Sequence, residues 1–271
     1  MIPSLLLNDG NSIPQVGFGT WPLTGEDAAA AVSAALEVGY RHVDTARKYN
    51  NEGSVGEGIR RSGVDRADIY ITTKLDGEFQ GDDRAIEGLR GSLELLGTDY
   101  VDLLLIHWPL PGRGEFVSTW RTFERLRAEG LARSIGVSNF TPAHLDILLA
   151  ETDVVPAINQ IQLSPVIQRR EQRAYNEAHG IVTESWSPIM GVLDEAVVKE
   201  VAEKHGRTPA QVVLRWHVQN ELVVIPKSVD PSRMAENLDI FDFSLDPGDL
   251  AKLDTLDGGP DAGVDSDTTG H

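Results

Sequence analysis

The feature that most constrains the fold of this chain is a regular alternation of short apolar segments with longer amphipathic ones. The apolar segments are rich in valine, leucine and isoleucine, which is typical of buried strands. Amphipathic segments with the helical period follow them, for example at 26–38, 83–96, 116–129 and 142–150. The eight predicted strands cover residues 16–19, 41–44, 69–74, 101–107, 134–138, 157–160, 181–186 and 222–226.

Eight strand–helix units in about 250 residues predict an α/β fold, the (β/α)8 or TIM barrel, as a single domain over residues 1–271. Two short strands around an Asp9-Gly10 turn predict an N-terminal β-hairpin. Additional helices are predicted late in the chain, at 195–205, 209–219 and 246–256. The tail 258–271 is rich in glycine, aspartate, serine and threonine, and we expect it to be flexible.

A doubly wound parallel sheet is the competing architecture. It would carry the glycine-rich turn G-x-G-x-x-G after its first strand. Residues 17–22 instead read Gly-Phe-Gly-Thr-Trp-Pro, and the phosphate-binding pattern G-x-x-x-x-G-K-[ST] does not occur in the chain. We therefore favour the barrel.

Composition excludes several classes of function. The chain has no cysteine, which excludes disulfides, thiolate catalysis and cysteine-ligated metals, and fits a reducing cytoplasm. Its 42 acidic and 24 basic residues give a net charge of −18, which disfavours nucleic acid and anionic membranes as partners. The first residues do not resemble a signal peptide, and no apolar run approaches the roughly 18 residues of a membrane helix.

A polar or aromatic side chain lies at or just after the end of every predicted strand. Catalytic groups of a barrel gather at this carboxyl-terminal face. Taken singly, each residue has an ordinary structural role, such as a helix cap or a buried hydrogen-bonded histidine. Together they indicate an active site. They are Thr20 and Trp21, Asp44, Lys74, His107 and Trp108, Ser138 and Asn139, Gln160, Trp186 and Ser187, and Lys227 and Ser228.

The chain lacks the residue patterns that other kinds of barrel enzyme require. No H-E-x-x-H pair occurs among the seven histidines, so we expect no metal site. Residues 136–140 end in Phe140 where a nucleophile elbow requires glycine. A hydrolase or isomerase would want paired carboxylates or metal ligands at the strand ends, and only Asp44 is available there.

Seven motifs in order resemble those of the aldo-keto reductase family. They are residues 39–46 with Tyr49, 71–75, 101–109, 135–140, 158–160, 225–228 and 236–237. The resemblance covers about residues 5–257, nearly the whole chain. The stretch 208–217 looks most like the bacterial 2,5-diketo-D-gluconate reductases.

This resemblance implies an NADPH-dependent reduction of aldehydes or ketones by a monomer without a metal. Tyr49 would protonate the developing alkoxide, and Lys74 would lower the tyrosine pKa from its usual value of about 10. Asp44 would pair with Lys74, and His107 would orient the carbonyl oxygen. A non-catalytic NADPH-sensing regulatory subunit is the alternative reading of the same resemblance, and the intact set of four residues argues against it.

The resemblance also implies a cofactor site and a substrate pocket. Ser138, Asn139 and Gln160 would hold the nicotinamide carboxamide and Trp186 would stack on its ring. Lys227, Ser228 and Arg233 would hold the 2′-phosphate. The remaining cofactor residues would be Gly19, Thr20, Asp44, Ser187, Val229, Glu236 and Asn237. Trp21, Asp76 and Trp108 would border the substrate beside Tyr49 and His107. Because Asp76 replaces an aromatic residue, we expect small polar substrates.

Overall fold

Eight parallel strands form a barrel at the centre of the molecule in the computed structural model, which describes residues 2–270. Each strand pairs with its neighbours in chain order, and a parallel bridge between Val16 and Val224 joins the first strand to the last. The predicted TIM barrel is therefore confirmed. The strands are β3 Phe18–Gly19, β4 His42–Asp44, β5 Tyr70–Leu75, β6 Val101–Ile106, β7 Ala132–Ser138, β8 Ile158–Gln162, β9 Val182–Trp186 and β10 Val223–Val224.

Ten helices in the described residues surround the barrel. Most of them return the chain from one strand to the next, and two helices separate β9 from β10, as the sequence predicts. They are α1 Gly25–Val38, α2 Glu52–Ser62, α3 Asp82–Leu96, α4 Phe116–Ala128, α5 Pro142–Glu151, α6 Arg170–Ala178, α7 Ala196–His205, α8 Pro209–Gln219, α9 Pro231–Leu238 and α10 Pro247–Asp254. No helix among residues 2–270 is long and apolar enough to cross a membrane.

Local sequence explains where several of these helices begin. Thr141, Thr208 and Asp246 each precede a proline and accept a hydrogen bond from the backbone of the third helical residue. Proline suits this position because the first turn of a helix has no partner for its N–H. These caps set the starts of α5, α8 and α10 and so the lengths of the loops before them.

The predicted N-terminal hairpin closes one end of the barrel. Its strands, β1 Ser4–Leu6 and β2 Ser12–Pro14, are antiparallel, and Gly10 in the turn has a φ of 87°. Leu7 and Ile13 are buried in one cluster with Leu103 and Leu105 of β6. The amino-terminal end of the barrel is thereby covered, and the carboxyl-terminal end is left for the site.

Gly17 makes room for a buried histidine just below the site. A Cβ atom on Gly17 would lie 2.4 Å from Nδ1 of His42, whose side chain is fully buried. We expect Gly17→Ala to lower the free energy of unfolding by about 1–3 kcal/mol, because overpacking forces the surroundings to shift. Urea denaturation measures this change.

Gly112→Ala is the matched control, since its Cβ would meet no atom within 4 Å. Equal stabilities of the two variants would mean that the histidine ring can move aside at no cost.

Candidate active site

Lys74 is the centre of the site. It is near the end of β5 and 1% exposed, and its Nζ donates hydrogen bonds to Asp44 Oδ1 at 2.6 Å and to the Thr45 carbonyl at 3.0 Å. A third, longer bond of 3.4 Å runs from Nζ to the hydroxyl of Tyr49. Two adjacent strand ends, β4 and β5, therefore bring an acid, an ammonium and a phenol into one chain of contacts.

Tyr49 reaches Lys74 because the chain turns back immediately after β4. Residues Arg47–Tyr49 form a single 3₁₀ turn that ends at Asn50, which has a φ of 53°. Asn51 anchors this turn by donating to the Leu23 carbonyl at 2.9 Å and accepting from Thr45 Oγ1 at 2.8 Å. The phenol thus stands over the barrel end although it lies five residues after Asp44.

The charges of the three groups are set by burial and by one another. Burial lowers the pKa of Lys74, but Asp44 and Tyr49 outweigh it and raise the pKa to about 12, so the ammonium stays charged. Burial raises the pKa of Asp44, and the Lys74 ammonium opposes that rise. Lys74 is therefore a permanent cation at neutral pH.

The pKa of Tyr49 departs from the sequence expectation. Burial raises it, the Lys74 charge lowers it, and Asp44 raises it again, so the net shift is upward. The lowering by Lys74 that we expected is present but is smaller than the effect of burial. Tyr49 is consequently a protonated phenol at neutral pH, the form that an acid requires.

His107 faces Tyr49 across the open end of the barrel. The two rings are edge to face with centroids 5.7 Å apart. Burial and the charges of Lys74 and Lys48 lower the pKa of His107 well below its usual value, so its ring is neutral. Its Nδ1 is buried with no hydrogen-bond partner among the described residues, which favours a proton on Nε2. His107 is thus a neutral donor beside the phenol.

A cavity of about 810 Å³ opens above these groups. Trp21 and Trp108 border it, with the Trp21 ring 5.2 Å from that of Tyr49. The predicted site residues that line it are Gly19, Thr20, Trp21, Asp44, Tyr49, His107, Trp108, Ser138, Asn139, Gln160, Trp186, Ser187 and Lys227. A single cavity therefore collects most of the strand-end residues that the sequence singled out, and Lys74 is buried beneath them in contact with Asp44 and Tyr49.

The side-chain amides expected to hold a nicotinamide carboxamide are held in place by hydrogen bonds within the protein. Asn139 donates to the His107 carbonyl at 3.0 Å and accepts from Trp186 Nε1 at 2.9 Å. Gln160 Nε2 donates to Asp44 Oδ2 at 2.8 Å. The hydroxyl of Thr20 is buried at the cavity wall and has no partner in residues 2–270. Preformed polar groups beside an apolar wall fit a nicotinamide ring with its carboxamide.

Some predicted residues lie away from the cavity. Lys227 lines it, but Ser228, Val229, Arg233, Glu236 and Asn237 continue along the chain into α9 without lining it. Arg233 and Val229 are exposed, and Glu236 accepts a hydrogen bond from Thr208 Oγ1 at 2.7 Å. These residues could contact only a ligand that extends from the cavity toward α9, as a dinucleotide does.

Asp76 is not among the residues that line the cavity. It directly precedes the 3₁₀ turn Gly77–Phe79, and Gly77 packs against Leu110. The place of Asp76 at the border of a polar substrate pocket therefore stays a prediction. The aromatic walls that remain are Trp21 and Trp108.

Three residues at the cavity carry no signal in the sequence. Lys48, Ile189 and Met190 line it, and Lys48 Nζ donates to the Gly270 carbonyl at 3.1 Å. The tail also contacts the barrel farther from the cavity, where Val264 donates its N–H to Gln162 Oε1 at 2.8 Å. No local pattern marks these contacts, since they join positions distant in sequence. The flexibility of the tail stays a prediction.

Comparison with known proteins identifies the class to which this site belongs. The model of the aldo/keto reductase family matches residues 15–257. Methylglyoxal reductase DkgA of Escherichia coli is 48% identical over 97% of each chain. Morphine 6-dehydrogenase of Pseudomonas putida is 46% identical over 97% of this chain and 94% of its own. The solved structure of a Gox0644 mutant in complex with NADPH has a TM-score of 0.94 at 44% identity and covers 98% of this chain and 97% of that chain.

The family match and the reductase relatives show that this protein is an oxidoreductase. This chain belongs to the aldo/keto reductase family.

Proposed function

We propose that this protein reduces the carbonyl group of small aldehydes or ketones to an alcohol with NADPH as cofactor and Tyr49 as the general acid. The observation that carries the proposal is the contact of Lys74 with both Asp44, at 2.6 Å, and Tyr49, at 3.4 Å, at the floor of the cavity. The NADPH complex of the similar Gox0644 structure and the reductase names of the relatives support it.

The chain's own residues supply the proton and the orientation. Bound NADPH would supply a hydride to the carbonyl carbon of the substrate. Tyr49 gives its proton to the carbonyl oxygen, and the neighbouring Lys74 ammonium stabilises the tyrosinate that remains. Asp44 keeps Lys74 charged and aimed at Tyr49. His107 donates from Nε2 to the same carbonyl oxygen and fixes its position between the two rings.

The substrate class, the cellular location and the oligomeric state can also be proposed. We infer a preference for small carbonyl compounds, as in the methylglyoxal reductase relative, and a place near the 2,5-diketo-D-gluconate reductases. We also propose a cytoplasmic monomer, which the absence of cysteine fits. The alternative of a regulatory subunit has less support. A chain of contacts runs through all four catalytic candidates, from Asp44 to Lys74, from Lys74 to Tyr49 and from Tyr49 to His107.

The test is the loss of NADPH absorbance with a panel of substrates. The panel contains a small dicarbonyl, a neutral aromatic aldehyde and a bulky ketone, each assayed with NADPH and with NADH. Turnover of the small carbonyls supports the proposal. Tight NADPH binding in a fluorescence titration without turnover of any carbonyl would favour the regulatory subunit instead.

Cofactor choice gives a prediction at α9. Arg233 is exposed near the start of this helix, where Asp230 caps the backbone by accepting from Ser232 at 2.8 Å. Arg233→Ala should raise the Kd for NADPH about 10–150-fold, because a charge-assisted hydrogen bond contributes roughly 1.5–3 kcal/mol. The Kd for NADH should change little, since NADH lacks the 2′-phosphate. Fluorescence titration measures both constants.

Arg90→Ala, which removes an exposed arginine of α3, is the matched control. If Arg233→Ala weakened the binding of NADPH and NADH equally, Arg233 would not be the residue that binds the 2′-phosphate.

A further inference from the structure

A second layer of buried polar side chains lies inside the barrel beneath the catalytic candidates. Glu184 is two residues before Trp186 on β9, so both side chains point to the same face of the strand. Glu184 is fully buried, and neither of its carboxyl oxygens has a hydrogen-bond partner in residues 2–270. Its Oε1 lies 3.8 Å from Nε2 of His42, which also contacts Thr72 Oγ1 at 3.0 Å. The site described above gives this carboxyl group no role.

The charges in this core do not balance if every acid is ionised. Asp44 and Glu184 are two buried carboxyl groups, and Lys74 is the only buried ammonium in residues 2–270. His42 adds no charge, because burial and the Lys74 charge lower its pKa to about 3. An unpaired charge in a buried core is costly, so we expect one of the two carboxyl groups to carry a proton at neutral pH.

Hydrogen bonding decides which carboxyl group is protonated. Asp44 accepts from Lys74 Nζ on one oxygen at 2.6 Å and from Gln160 Nε2 on the other at 2.8 Å. Donors to both oxygens stabilise the ionised form of a carboxyl group. In residues 2–270 neither oxygen of Glu184 accepts a hydrogen bond within 3.5 Å, and Gln160, which opposes the rise of its pKa, has its Nε2 on Asp44. Glu184 is therefore the group that holds the proton, and Asp44 remains the counterion of Lys74.

The titration of Glu184 follows from the groups that face it. These are His42 and Asp44 from β4, Lys74 and Tyr70 from β5, and the uncharged Gln160 from β8. Burial and the Asp44 charge raise the pKa of Glu184 to about 8, against the opposing effects of Gln160 and Lys74. Glu184 is thus neutral below this pH and gains a negative charge above it. That charge raises the pKa of Tyr49.

We propose that Glu184 is a positioning residue that is protonated at neutral pH, and that the charge it gains in alkaline solution makes Tyr49 hold its own proton more tightly. Carbonyl reduction needs the protonated phenol, whereas alcohol oxidation needs the tyrosinate. With Glu184 ionised, carbonyl reduction therefore continues to a higher pH, and alcohol oxidation begins only at a higher pH. This role in the reaction rests on the proposed function of Tyr49.

The experiment compares the pH profiles of the wild type and Glu184→Gln. The amide keeps the size of the side chain and cannot ionise. At neutral pH the variant should reduce a small dicarbonyl with kcat/KM within about twofold of the wild type, since Glu184 is uncharged there. The alkaline fall of reductive kcat/KM and the alkaline rise of alcohol oxidation should both move to lower pH, by a few tenths of a unit to about one unit, because the charge of Glu184 is the smallest of the contributions to the Tyr49 pKa.

Glu52→Gln is the matched control. Glu52 is also a buried acid, but it accepts from Thr73 Oγ1, on the opposite face of β5 from Lys74, at 2.6 Å. In the Glu52→Gln variant, reductive kcat/KM should fall at the same alkaline pH as in the wild type. Superimposable profiles of the wild type and Glu184→Gln, or an equal loss of rate at every pH, would overturn the proposal.

A measurement on the wild type needs neither the variant nor turnover. With ¹³C at the glutamate carboxyl and at the tyrosine Cζ, NMR reports the protonation of Glu184 and of Tyr49 in the protein alone. We expect a buried glutamate that titrates near pH 8 and a Tyr49 signal that responds to it. An ionised Glu184 at neutral pH would refute the inference, whereas a protein that shows this coupling but reduces no carbonyl would refute only the proposed function.

Discussion

Tyr49→Phe is expected to lower kcat by about 10²–10⁴-fold, the usual contribution of a positioned general acid. The substitution removes one hydroxyl and leaves the ring, which packs against Trp21 and His107. The Kd for NADPH should therefore change little while the proton source is lost. Single-turnover kinetics with NADPH and a small dicarbonyl separate the chemical step from product release.

Tyr100→Phe controls for the loss of a phenol elsewhere. Tyr100 stacks between the guanidinium groups of Arg66 and Arg133 and does not line the cavity. Wild-type turnover by Tyr49→Phe, with a deuterium isotope effect showing that hydride transfer limits the rate, would remove Tyr49 from the role of acid.

Lys74→Met should both abolish most activity and destabilise the protein by about 3–5 kcal/mol. The reason is that Asp44, 1% exposed, would keep its carboxyl group in the core without the ammonium that pairs with it. Breaking one side of a buried ion pair costs more than removing both sides, because the leftover charge is not solvated. Urea denaturation at neutral pH measures the loss.

The double variant Asp44→Asn with Lys74→Met tests this reason. It removes both charges, so it should be more stable than Lys74→Met alone while remaining inactive. If the double variant were less stable than the single one by a further comparable amount, the ion pair would not be the source of the loss.

The strands were the most predictable part of the fold. Each of the eight predicted strands overlaps one of β3 to β10, and the hairpin around Gly10 is present. This succeeds because buried strands are rich in valine, leucine and isoleucine even where polar residues such as Lys74 and Glu184 interrupt them, and because the chemistry of a tight turn is local. The rule that barrel sites form at the carboxyl-terminal strand ends then led from strand positions to the lining of the cavity.

The features that the sequence did not predict depend on contacts between segments distant in the chain. Asp76 follows the third strand of the barrel and directly precedes a short 3₁₀ turn, and its role at the substrate stays a prediction. Lys48 contacts the carbonyl of Gly270, more than two hundred residues away. The net upward shift of the Tyr49 pKa depends on how deeply the ring is buried, and residue type does not reveal this.

The sequence by itself determined the barrel, and it grouped Asp44, Tyr49, Lys74 and His107 as candidates for one site. Periodicity, strand-end position and motif order are properties of neighbouring residues, so they can be read along the chain. Only the tertiary structure decided that Asp44 pairs with Lys74 while Glu184, on β9, has no hydrogen-bond partner in the part of the chain that the structure describes. Electrostatic free energy depends on distances and burial in three dimensions, and those arise only when eight strands close around one interior.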